Sequence, residues 1–97
     1  MSEQSVEEAA DAHARAVVAS DIGATVRGMT PDGLAKAMQL GNTSWIYLGY
    51  EVGAASQDGD DSLVEIKYRT DIEPMTLRYR FQRIDGQWKV VDVERTD

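Results

Sequence analysis

Few side chains in this chain could move a proton near neutral pH or hold a polar ligand. They are one histidine, His13, four tyrosines, and a carboxylate, Asp92, inside a strand-like run near the C-terminal end. Burial without a counter-charge raises an aspartate toward neutrality, while phenolic donors lower it again. A carboxyl balanced between the two can act as a general base or share a proton with a donor. His13, with an ordinary value of about 6.5, also suits proton transfer. The absence of cysteine removes a disulfide framework, a thiolate metal site and a cysteine nucleophile. With one histidine, the usual zinc and non-haem iron ligand sets and a Ser-His-Asp arrangement are also excluded. There is no Gly-rich phosphate loop, and no metal or cofactor is expected. Asp58, Asp60 and Asp61 invite a calcium reading, but the spacing lacks the position-12 glutamate of an EF-hand, and a solvated hairpin turn explains them better.

These groups sit in a chain of 97 residues with 42% apolar and 28% charged residues, the balance of one globular domain. So short a chain has little core to spare for a large internal cavity. Ten Lys plus Arg against 17 Asp plus Glu give a net charge of −7. Neither half is basic: residues 1–44 hold three basic and six acidic side chains, and 45–97 hold seven and eleven. The electrostatic footprint of a nucleic-acid binder is therefore missing. The polar start, Met1 to Ser5, has neither the basic nor the apolar region of a secretory signal, and no apolar run reaches the roughly 20 residues that span a bilayer. A cytoplasmic protein without membrane contact is the expectation.

The elements that must position the candidates follow from periodicity. Ser5 and Glu8 form a capping box, and Val6, Ala9, Ala10, His13, Ala14, Val17 and Val18 recur at helical spacing, which predicts a helix over 6–20. Asp21 caps a short second helix through Ile22, Val26 and Met29. Thr30 and Pro31 start a third, with Gly41 as its stop. From Trp45 the period becomes two, predicting strands over 45–55, 62–71, 75–84 and 87–95, joined as an antiparallel meander.

Asp85-Gly86 reads as a two-residue type I′ turn, pairing Ile84 with Gln87, Phe81 with Val90 and Tyr79 with Asp92. Matching apolar faces sets Tyr68 opposite Tyr79, Ile66 opposite Phe81, Val52 opposite Ile66 and Tyr50 opposite Tyr68. The face the helices cover then holds Ile46, Leu48, Tyr50, Val52, Val64, Ile66, Tyr68, Leu77, Tyr79, Phe81, Trp88 and Val90. Tyr50, Tyr68, Tyr79 and Asp92 form one row across it, within reach of Glu94 and His13. Asp92 is either a base in that row, a carboxylate the tyrosines simply satisfy, or a residue at the wet rim of the helix-covered face. On the outer face Lys67 falls opposite Arg80 and Arg69 opposite Arg78, beside Val91 and Val93. Facing cations cost stability unless something answers them. The surface is a solvated charged face, a homodimer interface whose partner brings acidic residues or, third in order, a site for an anionic ligand.

Helix, helix, helix and then a meander ending Phe81-Gln-Arg-Ile-Asp-Gly-Gln-Trp-Lys-Val-Val-Asp-Val resembles the NTF2-like superfamily, including its SnoaL-like and ketosteroid-isomerase-like members. The stretch from Ala19 to Asp32 is similar to the family's second helix and following turn. The resemblance implies an α+β fold over residues 1–97, a curved sheet wrapping the helices as a cystatin-like cone whose mouth often holds a small apolar ligand. It also implies dimerisation through the sheet, and an aspartate base with tyrosine donors in some members. The chain is short for the family: Met29-Thr-Pro-Asp-Gly leads directly into the third helix, so the cone is shallow or filled. Three readings follow: a binder of a small apolar molecule through Tyr50, Tyr68, Tyr79, His13 and Glu94; a dimerisation or docking module with a filled cone; and an isomerase or hydrolase using Asp92. A pocket of roughly 300 Å³ reaching Asp92 would favour the first or third, and a filled cone the second.

Overall fold

The Ser5 hydroxyl accepts from the Glu8 N–H, and the Glu8 carboxylate accepts from the Ser5 N–H, both at 3.1 Å, so two donors left over at the helix start are satisfied reciprocally. In the computed structural model, which describes residues 5–40 and 45–96, this cap opens α1 (Val6–Val18). The helix stops two residues before the expected Ser20, because Ser20 turns left-handed at φ 58°. Asp21 caps α2 (Ile22–Arg27) by accepting from the Ala24 N–H, and Thr30 caps α3 (Pro31–Gln39) by accepting from the Gly33 N–H, each at 3.1 Å. The expected stop at Gly41 lies outside the described residues.

Four antiparallel strands follow: β1 (Tyr47–Asp58), β2 (Asp61–Thr70), β3 (Met75–Ile84) and β4 (Gln87–Arg95), in the order β1-β2-β3-β4. Relative to expectation, β1 starts two residues later and ends three later. Asp85 and Gly86 both have positive φ, 53° and 78°, as a type I′ turn requires, and Ile84 pairs with Gln87 and Phe81 with Val90. The β1–β2 pairs Tyr50 with Tyr68 and Val52 with Ile66 also match.

Three departures move the candidate residues. Beyond Val90 a bulge makes Val91 an extra residue, so Tyr79 faces Val93 and Arg80 faces Asp92. Val93, expected outside, is 3% exposed in the core, and Asp92 and Glu94 turn to the outer face. The β2–β3 register is offset by four residues: Tyr68 pairs with Met75, Val64 with Tyr79 and Ser62 with Phe81. An even offset keeps every side chain on its face but dissolves the like-charge pairs. Lys67 faces Thr76, and Glu65, not Arg69, faces Arg78. At the start of β1 a second bulge leaves Leu48 without a cross-strand partner. Ile46 and Leu48, expected inside, are 61% and 58% exposed, while Tyr47 packs on the core.

The core sits between α1 and the sheet. Ala9, Ala10 and Ala14 of α1, which lies over β1 and β2, join one buried cluster with Val64, Ile66, Tyr68, Leu77, Tyr79, Phe81, Val90 and Val93, while α3 covers β4. Trp88 packs against this cluster half-buried, with the Arg83 guanidinium 4.6 Å over its ring. Segment 28–30 covers the β4 edge, Val90 donating to the Gly28 carbonyl at 2.8 Å and accepting from Thr30 at 2.9 Å. Among the described residues no helix is long and apolar enough to cross a membrane.

Candidate functional site

Of the expected row, the fold brings together two members. Tyr68 on β2 and Tyr79 on β3 are buried, and their hydroxyls hydrogen-bond each other at 2.8 Å even though the two residues are not paired across the strands. The His13 ring stands edge-on to Tyr79 with centroids 5.1 Å apart, and the Tyr47 ring stands edge-on to Tyr68 at 5.2 Å. Burial pushes both core phenols up, with the neighbouring tyrosine adding to the rise at Tyr68, so both stay protonated through the neutral range. Burial lowers His13 to about 4, which keeps its imidazole neutral at pH 7. Among the described residues no carboxylate is hydrogen-bonded to these hydroxyls.

Tyr50 points to the same side but bonds elsewhere: its hydroxyl donates at 2.8 Å to Asp11 on α1, which also pairs with Arg15 one turn later at 2.6 Å. Asp11 was not singled out by the sequence, although its i,i+4 spacing to Arg15 was visible. Asp92 lies across the sheet from the tyrosines. Its Oδ1 accepts from the Val93 N–H at 2.9 Å, and it lines a shallow outer cleft of about 60 Å³ with Leu63, Arg78, Arg80 and Glu94. Room for a few waters is what that volume offers.

The cations of this cleft are answered within the chain. Arg78 donates to Glu94 Oε1 through both its Nε and a terminal nitrogen, and Arg80 reaches Asp58 at 2.7 Å and Asp61 at 3.0 Å. Those two carboxylates hold Arg80 above its ordinary value. Two of the three aspartates considered for calcium are thus engaged by an arginine. Between α1 and the sheet the volume is taken by side chains: Ala10, Ala14, Val64, Ile66, Tyr68 and Val90 are at 0% exposure and Phe81 at 1%.

The backbone arrangement is shared with solved structures. An NTF2-like protein of unknown function from Shewanella baltica OS155 superposes with a TM-score of 0.67 over 93% of this chain and 90% of its own, at 8% identity. The chain has the NTF2-like fold. A second NTF2-like protein of unknown function, from Cytophaga hutchinsonii ATCC 33406, gives a TM-score of 0.57 at 10% identity, covering 99% of this chain and 95% of its own. A Sinorhizobium meliloti protein described as a candidate polyketide cyclase gives 0.60 at 20% identity, covering 92% and 94%. No family model and no curated protein matches the chain. The NTF2-like likeness is therefore one of architecture, three N-terminal helices on a four-stranded meander, and at these identities it carries no activity with it.

Proposed function

We propose that this NTF2-like domain works as a non-enzymatic docking module that meets another polypeptide through its surface. The observation that carries this reading is the filled interior. Two core tyrosine hydroxyls satisfy each other, and the space that a small apolar ligand would need is occupied by buried side chains from both α1 and the sheet. Part of the outer face expected to meet a second copy is already engaged within the chain. Lys67 and Arg69 remain exposed on the outer face, whereas Arg78 and Arg80 already have carboxylates and Val93 belongs to the core.

Native mass spectrometry of protein purified without denaturation, with sedimentation at micromolar concentration, tests the reading. The expected spectrum shows the chain, alone or in integer multiples, near its own 10.7 kDa with no small-molecule adduct. A stoichiometric adduct of a small apolar compound that survives dilution would overturn it.

A further inference from the structure

The outer face has one arginine whose cross-strand neighbour cannot answer it. Arg69 on β2 pairs with Gly49 on β1, and its guanidinium lies flat across the glycine: a Cβ placed there would stand 2.4 Å from Nη2. The glycine therefore acts as a cradle, and it brings no carboxylate. By contrast Arg15, Arg78, Arg80 and Arg95 each pair with an acidic side chain. Of the nearby carboxylates, Glu73 pairs with Arg95 and Asp71 accepts from the Ile46 N–H at 3.0 Å, while Glu51, two residues along β1 from Gly49, faces Lys67. Among the described residues none pairs with Arg69.

The same corner of the sheet is apolar. Leu48, the unpaired bulge residue, is next to Gly49, Ile46 is tied to Asp71 by two hydrogen bonds, and Ile72 follows Asp71 in the turn. All three are about 60% exposed: 61% for Ile46, 58% for Leu48 and 61% for Ile72. Isolated exposed aliphatic residues are ordinary, but three at the same end of the β1–β2 pair as a guanidinium held over a glycine combine a charge with an apolar ledge.

We propose that this corner docks a partner segment in which an Asp or Glu is flanked by apolar side chains. Arg69 takes the carboxylate, and Ile46, Leu48 and Ile72 take the flanking groups. The occupant follows from charge complementarity. A second copy packing this small corner on itself, with the two-fold axis passing through Arg69, would bring two guanidinium groups together, which disfavours that self-contact. A wide anionic surface such as an acidic membrane would meet the chain's net charge of −7, whereas a single carboxylate feels mainly the local guanidinium at physiological salt.

This inference rests on the docking reading above. Its test is titration of the ¹⁵N-labelled full chain with a panel of capped hexapeptides, each carrying one Asp or Glu between apolar residues. Saturable shifts should centre on the amides of Leu48, Arg69 and Ile72. Arg69→Gln should weaken binding about tenfold, and so should replacing the peptide's carboxylate by its amide. Gly49→Ala keeps the arginine's charge and only displaces its guanidinium, so weakened binding in that variant reports the cradle itself. Absence of saturation across the panel, shifts on another surface, or affinity indifferent to both substitutions would overturn the site. So would a self-contact, seen as concentration-dependent sedimentation abolished by Leu48→Lys. If peptides fail while native mass spectrometry still shows no small-molecule adduct, the corner alone is wrong; an apolar adduct sinks the docking reading itself.

Discussion

Acidification should cost this protein stability through His13 before most of its carboxylates are protonated. Burial lowers His13 from 6.5 to about 4, while in the unfolded chain it regains the ordinary value. Above pH 6.5 neither state binds the proton and the residue contributes no pH dependence. As pH falls from 6.5 toward 4, the unfolded state takes up a proton that the folded state refuses, and unfolding is favoured by about 1.4 kcal/mol per pH unit. Across that window the loss is about 3 kcal/mol, a large part of the 5 to 15 kcal/mol typical of a small domain. Carboxylates begin to titrate near the lower end, so the measurement is a difference. Urea unfolding followed by tryptophan fluorescence at several pH values would compare the wild type with His13→Leu, which keeps an apolar side chain against Tyr79 and removes the titration. The gap between the two should change by about 3 kcal/mol in favour of the variant from pH 6.5 to 4. Parallel pH profiles would refute the argument, because they would mean that His13 is protonated as easily when folded as when unfolded.

Three further outcomes are expected. Phe81→Ala, at a position 1% exposed in the core, should cost about 3 to 5 kcal/mol in urea unfolding. Gly33→Ala raises helix propensity by about 1 kcal/mol, yet its Cβ would stand 2.2 Å from the Val90 carbonyl oxygen. The backbone clash wins and α3 must lift off β4, so thermal unfolding should move down by an amount matching about 2 kcal/mol or more. Ser20→Gly relieves a left-handed residue at φ 58° after α1 and should raise stability by about 0.5 to 1 kcal/mol in the same assay.

Local chemistry was legible and long-range registry was less so. The Ser5, Asp21 and Thr30 caps and the Asp85-Gly86 turn depend on residues within four positions of one another, and each appears where its residue types predict. The β2–β3 offset was not legible, because an alternating pattern looks the same after any even shift. What sets it is the turn, where the Thr70 hydroxyl accepts from the Ile72 and Glu73 N–H groups and donates to the Glu73 carbonyl. The bulge at Val91 did leave a trace. Trp88 and Val90 keep one phase, Val93 is out of phase with them, and opposite them Leu77, Tyr79 and Phe81 do not change phase. One extra residue reconciles the two strands, and it carries Asp92 and Glu94 from the tyrosine side to the arginine side. The expected aspartate–tyrosine row loses Asp92 to that residue and its Tyr68–Tyr79 cross-strand pair to the β2–β3 offset, although the two hydroxyls still reach each other at 2.8 Å. The exposed corner around Arg69 was hidden for a related reason, since the first bulge of β1 turns Leu48 out and Tyr47 in.

The central claim, that the interior is filled, is tested most directly by ¹²⁹Xe NMR of the wild-type protein under xenon pressure, since xenon enters apolar cavities of even modest size. The account predicts a xenon shift that grows only linearly with protein concentration and leaves the Tyr68 and Tyr79 ring resonances in place. The same experiment on Tyr79→Ala, which empties part of the space beside Tyr68 and His13, supplies the positive control by showing a saturable shift. Saturable xenon binding in the wild type, with the Tyr68 and Tyr79 rings responding, would contradict the account and return a ligand to the cone.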